Sequence, residues 1–91
     1  MTFYTYIIKC SDNSLYTGYT TDIKRRVDEH NTGSGAKYTR GRLPVVLKYV
    51  EFNNTRSDAM SREYEIKQLT KTEKKELLSD YEDCVSVEFS S

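Results

Sequence analysis

The chain has 91 residues, which is the size of one small domain. Its 14 basic and 14 acidic side chains balance, and a mean hydropathy of −0.76 predicts a water-soluble protein. No apolar run reaches the length of a membrane span, and the start MTFYTYIIKC lacks the regions of a secretory leader. We therefore expect a cytoplasmic protein without a membrane partner. Cys10 and Cys84 lie far apart and are expected to remain thiols rather than bind zinc.

Residue propensities and turn signals predict the elements in chain order. They are strands over 3–10 and 15–20, a helix over 22–31, a loop over 32–42, a strand over 45–52, and helices over 56–69 and 70–79. The turn composition at 11–14 joins the first two strands as an antiparallel hairpin. The order ββαβαα predicts an α/β (α+β) fold, in which helices flank a small central antiparallel three-stranded sheet. One domain is expected at 1–80, and 81–91 is an acidic tail that either frays or adds an edge strand at 85–89.

The charges are unevenly distributed along the chain. Between Thr21 and Lys48, seven basic residues face three acidic ones, whereas six acidic residues from Glu73 onwards face two lysines. A basic middle of +4 and an acidic end of −4 have two explanations, an anionic partner bound at the middle or two solvated faces of opposite charge.

Two predicted helices place charged residues next to their apolar stripes. In 22–31, Ile23 and Val27 mark the inward face, and Arg26 and His30 lie on its border. In 56–69, Ala59, Met60 and Ile66 mark the inward face, and Glu63 falls in its middle. A carboxylate facing a core needs a partner, a metal or a wet cavity. Glu63 therefore belongs either to a site or to a buried ion pair, for which Arg26 is the candidate.

The hairpin holds four of the eight tyrosines within residues 4–21. Side chains alternate along a strand, so Tyr6 and Tyr16 share a face only if the connecting loop has an odd number of residues or a bulge shifts the register. Gly18, inside the second strand, is typical of a place where a ligand or another group approaches closely. Aromatic packing is the alternative explanation.

Several stretches together resemble the GIY-YIG nuclease family. TYII and LYTGYT resemble its paired tyrosine motifs, DIKRRVDEHN its first helix, SREYEIKQL its glutamate-bearing helix, and GAKYTRGRLP its small single-domain bacterial branch. The resemblance runs from Phe3 to Leu77. The first motif reads Tyr-Thr-Tyr instead of Gly-Ile-Tyr, Thr17 replaces an isoleucine, and no asparagine follows Lys71, where several members carry one.

The resemblance implies a metal-dependent endonuclease that hydrolyses DNA phosphodiester bonds. Glu63 would bind Mg²⁺ or Mn²⁺, Arg26 would clamp a phosphate oxygen, and Tyr6 would act as general base toward water. Tyr16 would orient the water or the phosphate, and Gly18 would support the site through its backbone. His30 would either accept a proton or hydrogen-bond Tyr16. Because a free phenol has a pKa near 10, we expect an alkaline optimum.

The predicted loop 32–42 combines glycines with basic side chains and an aromatic residue, which suits nucleic-acid binding. The candidates are Lys37, Tyr38, Arg40 and Arg42. A flexible, solvated loop is the alternative.

Three functions remain at this point. The first is a DNA endonuclease, acting on branched or damaged DNA in repair or recombination, with a monomer favoured. The second is a nucleic-acid-binding module of the same fold that has lost turnover, and the third is a protein-interaction module in which the tyrosines only pack.

Overall fold

The computed structural model describes the backbone of residues 2–89 and the side chains of residues 2–81. Within these residues the elements, in chain order, are β1 (Phe3–Lys9), β2 (Leu15–Thr20), α1 (Ile23–Asn31), α2 (Lys37–Arg40), β3 (Val46–Asn53), α3 (Arg56–Lys67) and α4 (Lys71–Phe89). In the described part of the chain, no helix is long and apolar enough to cross a membrane.

The three strands form one antiparallel sheet in the order β2-β1-β3, which confirms the predicted fold class. In the β1–β2 register, Tyr6 lies opposite Gly18 and Ile8 lies opposite Tyr16. The connecting turn between Lys9 and Leu15 has five residues, an odd number, so Tyr6 and Tyr16 share a face as the alternation rule requires. Asn13 takes the positive φ of 69° that closes this turn.

The helix starts carry the capping residues that the sequence suggests. Asp22 accepts a hydrogen bond from the Arg25 N–H at the start of α1. At the start of α4, Thr70 and Glu73 form a reciprocal capping box with bonds of 2.8 and 3.1 Å. The bond that the Thr70 N–H donates to the Glu73 carboxylate lowers the pKa of that carboxyl, and the nearby Thr70 side chain acts in the same direction.

Three expectations about the elements are wrong. The predicted loop 32–42 contains the short helix α2, because the Thr39 and Arg40 N–H groups bond to the Ala36 carbonyl. The last helix does not end near residue 79 but continues to Phe89, so 85–89 is helical and adds no edge strand. Met60 is not inward-facing, since 48% of it is exposed.

The sheet has a separate core on each face. Tyr6 and Ile8 face one side, where Ile23 and Val27 of α1 pack against them. On the opposite side, Ile7 packs with Tyr49, Ile66 of α3 and the leucines of α4. Strand alternation produces this division, because neighbouring residues of β1 point to opposite faces. Helix α1 and helix α3 are thereby held on opposite sides of the central strand.

Candidate active site

The Tyr6 hydroxyl is the centre of a hydrogen-bonded group at the edge of the first core. Tyr6 is only 1% exposed. Its hydroxyl lies 2.9 Å from His30 Nε2 and accepts a longer, 3.4 Å hydrogen bond from Arg26 Nε. The phenol oxygen thus lies between an imidazole and a guanidinium, both of which come from α1, where they are four residues apart on one helical face.

Gly18 makes room for this phenol. A Cβ atom at Gly18 would lie 2.6 Å from the Tyr6 hydroxyl and 2.8 Å from the ring carbon that carries it. Real Cβ atoms do not approach so closely, so any side chain at this position would displace the hydroxyl. The glycine is therefore needed for close approach of the Tyr6 side chain from the neighbouring strand.

His30 is fully buried, and the segment after α1 encloses its second ring nitrogen. His30 Nδ1 lies 2.8 Å from Thr39 Oγ1, and the Thr39 hydroxyl donates a 3.1 Å bond to the Ala36 carbonyl. A Cβ at Gly35 would lie 2.4 Å from Nδ1, so this residue must also be small. The loop and α2 therefore form a packed wall around the imidazole.

The bonds of Thr39 determine which nitrogen of His30 carries the proton. A threonine hydroxyl has one hydrogen, and here it is directed to Ala36. The Thr39 oxygen then accepts from His30 Nδ1–H, which leaves Nε2 as an acceptor for the Tyr6 O–H. In this arrangement Tyr6 donates its proton toward a neutral histidine.

Burial and the neighbouring charges keep this group neutral. Burial raises the pKa of Tyr6, and the charges of Tyr16 and Glu63 act in the same direction, while Arg26 opposes them. Burial, together with the Arg26 cation, lowers the pKa of His30. Burial also disfavours the Arg26 cation, but the bonds to Tyr6 and Glu29 outweigh it and raise the pKa of Arg26. Around neutral pH, Tyr6 is therefore a phenol and His30 a neutral imidazole.

A cleft of about 490 Å³ opens next to this group. Of the predicted catalytic residues, Tyr6, Tyr16, Arg26 and Glu63 line it, together with Gly18, whereas His30 lies behind Tyr6. Glu63 reaches the cleft from α3 on the other side of the sheet, and its charge acts on Tyr6. The structure thus brings side chains from β1, β2, α1 and α3 to one wet pocket.

The ion pair between Glu63 and Arg26, which was the alternative to a site, does not occur. Arg26 pairs with Glu29 at 3.2 Å, and Glu63 has a weaker contact of 3.6 Å with Lys67. The Glu63 side chain remains partly accessible from the cleft. Its carboxylate is therefore available to a ligand without breaking a strong ion pair.

The donor set fits a hard, oxygen-preferring cation such as Mg²⁺ or Mn²⁺ better than an ion that prefers nitrogen or sulfur ligands. Among the described residues, no three histidine, cysteine or acidic side chains come together as metal ligands. Magnesium is commonly bound by one or two carboxylates, with water and phosphate oxygens completing its shell. Glu63, the cleft carboxylate without an arginine partner, fits that role.

The predicted DNA-binding residues lie outside this cleft and have different surroundings. Arg42 donates to Asp12 at 3.0 Å and to the Tyr38 carbonyl, and it lies 4.2 Å above the Tyr38 ring. Tyr38 stacks on Tyr16, with ring centres 5.9 Å apart. Arg42 and Tyr38 therefore fix the loop against the hairpin. Lys37 and Arg40 are exposed and make no ion pair within the described residues.

Two residues that the sequence interpretation did not select, Thr39 and Gly35, enclose His30. Their signal in the sequence was weak, because small residues in a glycine-rich stretch are equally typical of a solvated loop. The burial of Thr39 can be recognised only when the path of the segment over α1 is known.

The fold and the cleft define a small α/β domain with tyrosine, arginine and glutamate in one pocket. Comparison with known proteins agrees with this fold. The model of the GIY-YIG catalytic domain matches residues 2–76. A UPF0213 protein of Haloquadratum walsbyi is 61% identical over 85% of this chain and 86% of its own, and one of Staphylococcus haemolyticus is 53% identical over 85% and 94%.

Two solved structures are similar over most of their length. The solution NMR structure of a UPF0213 protein from Bacillus halodurans is 48% identical, covers 87% of this chain and 84% of its own, and superimposes with a TM-score of 0.57. That of a protein from E. faecalis is 42% identical over 90% and 88%, with a TM-score of 0.61. The chain therefore belongs to the GIY-YIG catalytic-domain family, in its small single-domain UPF0213 group.

Proposed function

We propose that this protein is an endonuclease that hydrolyses DNA phosphodiester bonds with one divalent metal ion held by Glu63. The observation that supports this proposal is the position of the Tyr6 hydroxyl, between His30 and Arg26 and in the same cleft as Glu63. Hydrolysis needs a proton acceptor, cations at the phosphate and a metal ligand, and these side chains supply each of them.

Tyr6 acts as the general base through His30. The phenol oxygen takes a proton from the attacking water while its own proton passes to Nε2 of neutral His30. The water oxygen forms the new bond to phosphorus, the bond to the leaving oxygen breaks, and the imidazole holds the proton. No free phenolate is required, so the raised pKa of Tyr6 does not prevent catalysis near neutral pH. A constant rate above neutral pH therefore replaces the alkaline optimum that a free phenol would give.

Arg26 is held ready to bind the phosphate. Its Nε and Nη1 groups are engaged by Tyr6 and Glu29, which fixes the plane of the guanidinium. The remaining donors are available to phosphate oxygens, a geometry that guanidinium matches well. Tyr16, on the same wall of the cleft, orients the water or the phosphate.

The metal would be held by Glu63, with water and a phosphate oxygen as its other ligands. When bound, such an ion supplies charge neutralisation at the phosphate and at the leaving oxygen. Mg²⁺ or Mn²⁺ suits the carboxylate.

Nicking of supercoiled and branched DNA in the presence of Mg²⁺ or Mn²⁺ tests the function. We expect the wild type to cut and Glu63→Gln to lose cleavage. Glu65→Gln is the matched control, because it makes the same change two residues away on α3 at a more exposed side chain. Cleavage that persists in Glu63→Gln would contradict the proposed role of this carboxylate. Preferential cutting of branched or damaged DNA would favour a role in repair or recombination.

A nucleic-acid-binding module without turnover is the second candidate. The absence of an asparagine after Lys71 favours it, since several members of the family carry one near the site. Tight DNA binding by the wild type, with no cleavage under either metal, would support this candidate over the nuclease.

A further inference from the structure

A second groove, lined by lysines, lies away from the cleft. Its walls include Lys9, Lys48, Lys71, Lys74 and Lys75, and its volume is about 640 Å³. The cleft lies where β1 begins and β2 ends, next to Phe3 and Thr20, whereas this lysine groove lies at the opposite end of the hairpin. The two sites share no lining residue.

Three separate segments of the chain build the lysine groove. Lys9 is the last residue of β1, and Lys48 lies in β3. The other three lysines lie on one face of the first two turns of α4, and they are Lys71, Lys74 and Lys75. Leu78, on the same helical face, packs into the second core and fixes the orientation of α4. In the sequence, two of these lysines belong to an acidic segment, and only the fold brings them next to Lys9.

The groove concentrates positive charge on lysines, four of which have no acidic partner among the described side chains. These four, which form no ion pair there, are Lys9, Lys71, Lys74 and Lys75. Asp12, the one acid among the described residues that line the groove, is held by Ser14 and by Arg42. Like charges one helical turn apart, such as Lys71 and Lys75, destabilise a helix. An anionic ligand would relieve that repulsion.

The arrangement fits a phosphate backbone better than a single small anion. Side chains one turn apart on a helix have Cβ atoms about 5–6 Å apart, and long lysine side chains can follow successive phosphates, which rise about 3.4 Å per nucleotide in a strand. Lysine contacts phosphate as a point charge and carries no sequence information. β1 has seven residues and is roughly 20 Å long, so a duplex lying along it would place the groove within about six base pairs of the cleft.

We propose that the lysine groove binds the backbone of the same DNA at a second place, within about six base pairs of the cleft. This inference shares DNA as the partner with the proposed function but does not require cleavage. The groove would hold the duplex while the cleft acts on one phosphodiester.

The test is the salt dependence of DNA binding by the full chain. Anisotropy of a short fluorescein-labelled duplex would be titrated at several salt concentrations, without divalent metal, for the wild type and for Lys71→Gln/Lys74→Gln/Lys75→Gln. Each lost phosphate contact lowers the slope of log K against log salt by about 0.9, so we expect a decrease of about 2–3. Thermal unfolding of the variant checks that the fold is retained.

Two controls separate local binding from net charge. Lys71→Arg/Lys74→Arg/Lys75→Arg keeps the charges and should keep the wild-type slope. Lys24→Gln removes an exposed cation that lies between Asp22 and Asp28, outside the groove, and should leave the slope nearly unchanged.

Four results would overturn the inference. The first is no binding of the duplex by the wild type, and the second is an unchanged salt slope in the triple glutamine variant. The third is a change in slope per removed charge that is no larger than the change caused by Lys24→Gln. The fourth is a loss of salt-dependent self-association while DNA binding is unaffected. The last would indicate a surface between copies of this chain. Normal binding with no cleavage would count against the proposed nuclease activity alone.

Discussion

The two faces of the sheet use different chemistry in their interiors. On the face covered by α1 and α2, the buried residues include Tyr6, His30 and Thr39, linked by hydrogen bonds of 2.8 and 2.9 Å. On the face covered by α3 and α4, Ile7 and Ile66 form an apolar centre. Polar groups on that side include Thr5, which donates to the Ala59 carbonyl of α3, and the pair of Tyr49 with Glu51. Burial and the Glu51 carboxylate raise the pKa of Tyr49 to about 12.

This difference indicates what each face contributes. An apolar core stabilises the fold without exact hydrogen-bond geometry, whereas a buried polar chain is favourable only when every member has a partner. Ala36, Thr39, His30, Tyr6 and Arg26 supply such a chain up to the cleft. We therefore expect changes on the first face to affect cleavage more than stability, and changes on the second to do the reverse.

Replacing the phenol should have the largest effect on activity. Tyr6→Phe removes the proton acceptor, and we expect DNA cleavage to fall by about 10²–10⁴-fold. Stability should decrease by about 1–3 kcal/mol, because His30 Nε2 loses its partner. Nicking rates and denaturant unfolding measure the two effects. Wild-type cleavage by a folded Tyr6→Phe protein would refute the role of Tyr6.

An apolar truncation on the other face should give the opposite result. Ile66→Ala removes a fully buried side chain and should lower the free energy of unfolding by about 2–5 kcal/mol. Nicking per folded molecule, measured well below the melting temperature, should stay within a few-fold of wild type. If cleavage instead fell as far as in Tyr6→Phe, the proposed division between the faces would be wrong.

A single methyl group should shift the phenol. In Gly18→Ala the new Cβ would lie 2.6 Å from the Tyr6 hydroxyl, so the ring must move, and we expect about 100-fold slower cleavage. Gly41→Ala is the control, because no atom lies within 4 Å of its Cβ position and its φ is −94°. Equal nicking rates for the two variants would show that the position of Tyr6 is unimportant.

The smallest expected effect concerns the orientation of His30. Thr39→Val removes the acceptor for Nδ1–H and should favour the tautomer that cannot accept from Tyr6, with about tenfold slower cleavage. Long-range ¹H–¹⁵N NMR of the imidazole reports the tautomer independently of activity. Thr39→Ser keeps the hydroxyl and should restore both readouts. An Nε2–H tautomer in the wild type would contradict the proposed direction of the hydrogen bonds.

Local rules were sufficient to predict much of the fold. The sheet could be predicted from the turn at residues 11–14 and from the apolar runs of the strands. Most helix starts could be predicted from capping residues such as Asp22 and Thr70. Helical spacing placed Arg26 and His30 beside the inward stripe of α1. The continuation of α4 was missed because it depends on packing of Leu77, Leu78 and Tyr81 against the sheet, which local sequence does not reveal.

The site was harder to predict than the fold because its contacts are long-range. The hydrogen-bond partner of His30 could not be chosen from the sequence, since Tyr6 and Tyr16 share a face. Only the structure shows that Tyr6 is hydrogen-bonded to Nε2, while the Tyr16 ring makes an edge contact with the imidazole. The separation of Arg26 from Glu63 depends on how α1 and α3 lie on opposite faces. The roles of Gly35 and Thr39 depend on the path of a segment without periodic pattern.

The pH dependence of cleavage tests the central claim, that neutral His30 receives the proton from Tyr6. The pKa of His30 is lowered from its ordinary value of 6.5, so wild-type activity should be constant above about pH 7 and fall in acid as His30 becomes protonated. His30→Gln can accept a hydrogen bond but cannot take a proton. Its activity should therefore rise about tenfold per pH unit into the alkaline range, where phenolate forms. Alkaline-rising profiles of the same shape for both proteins would contradict the account.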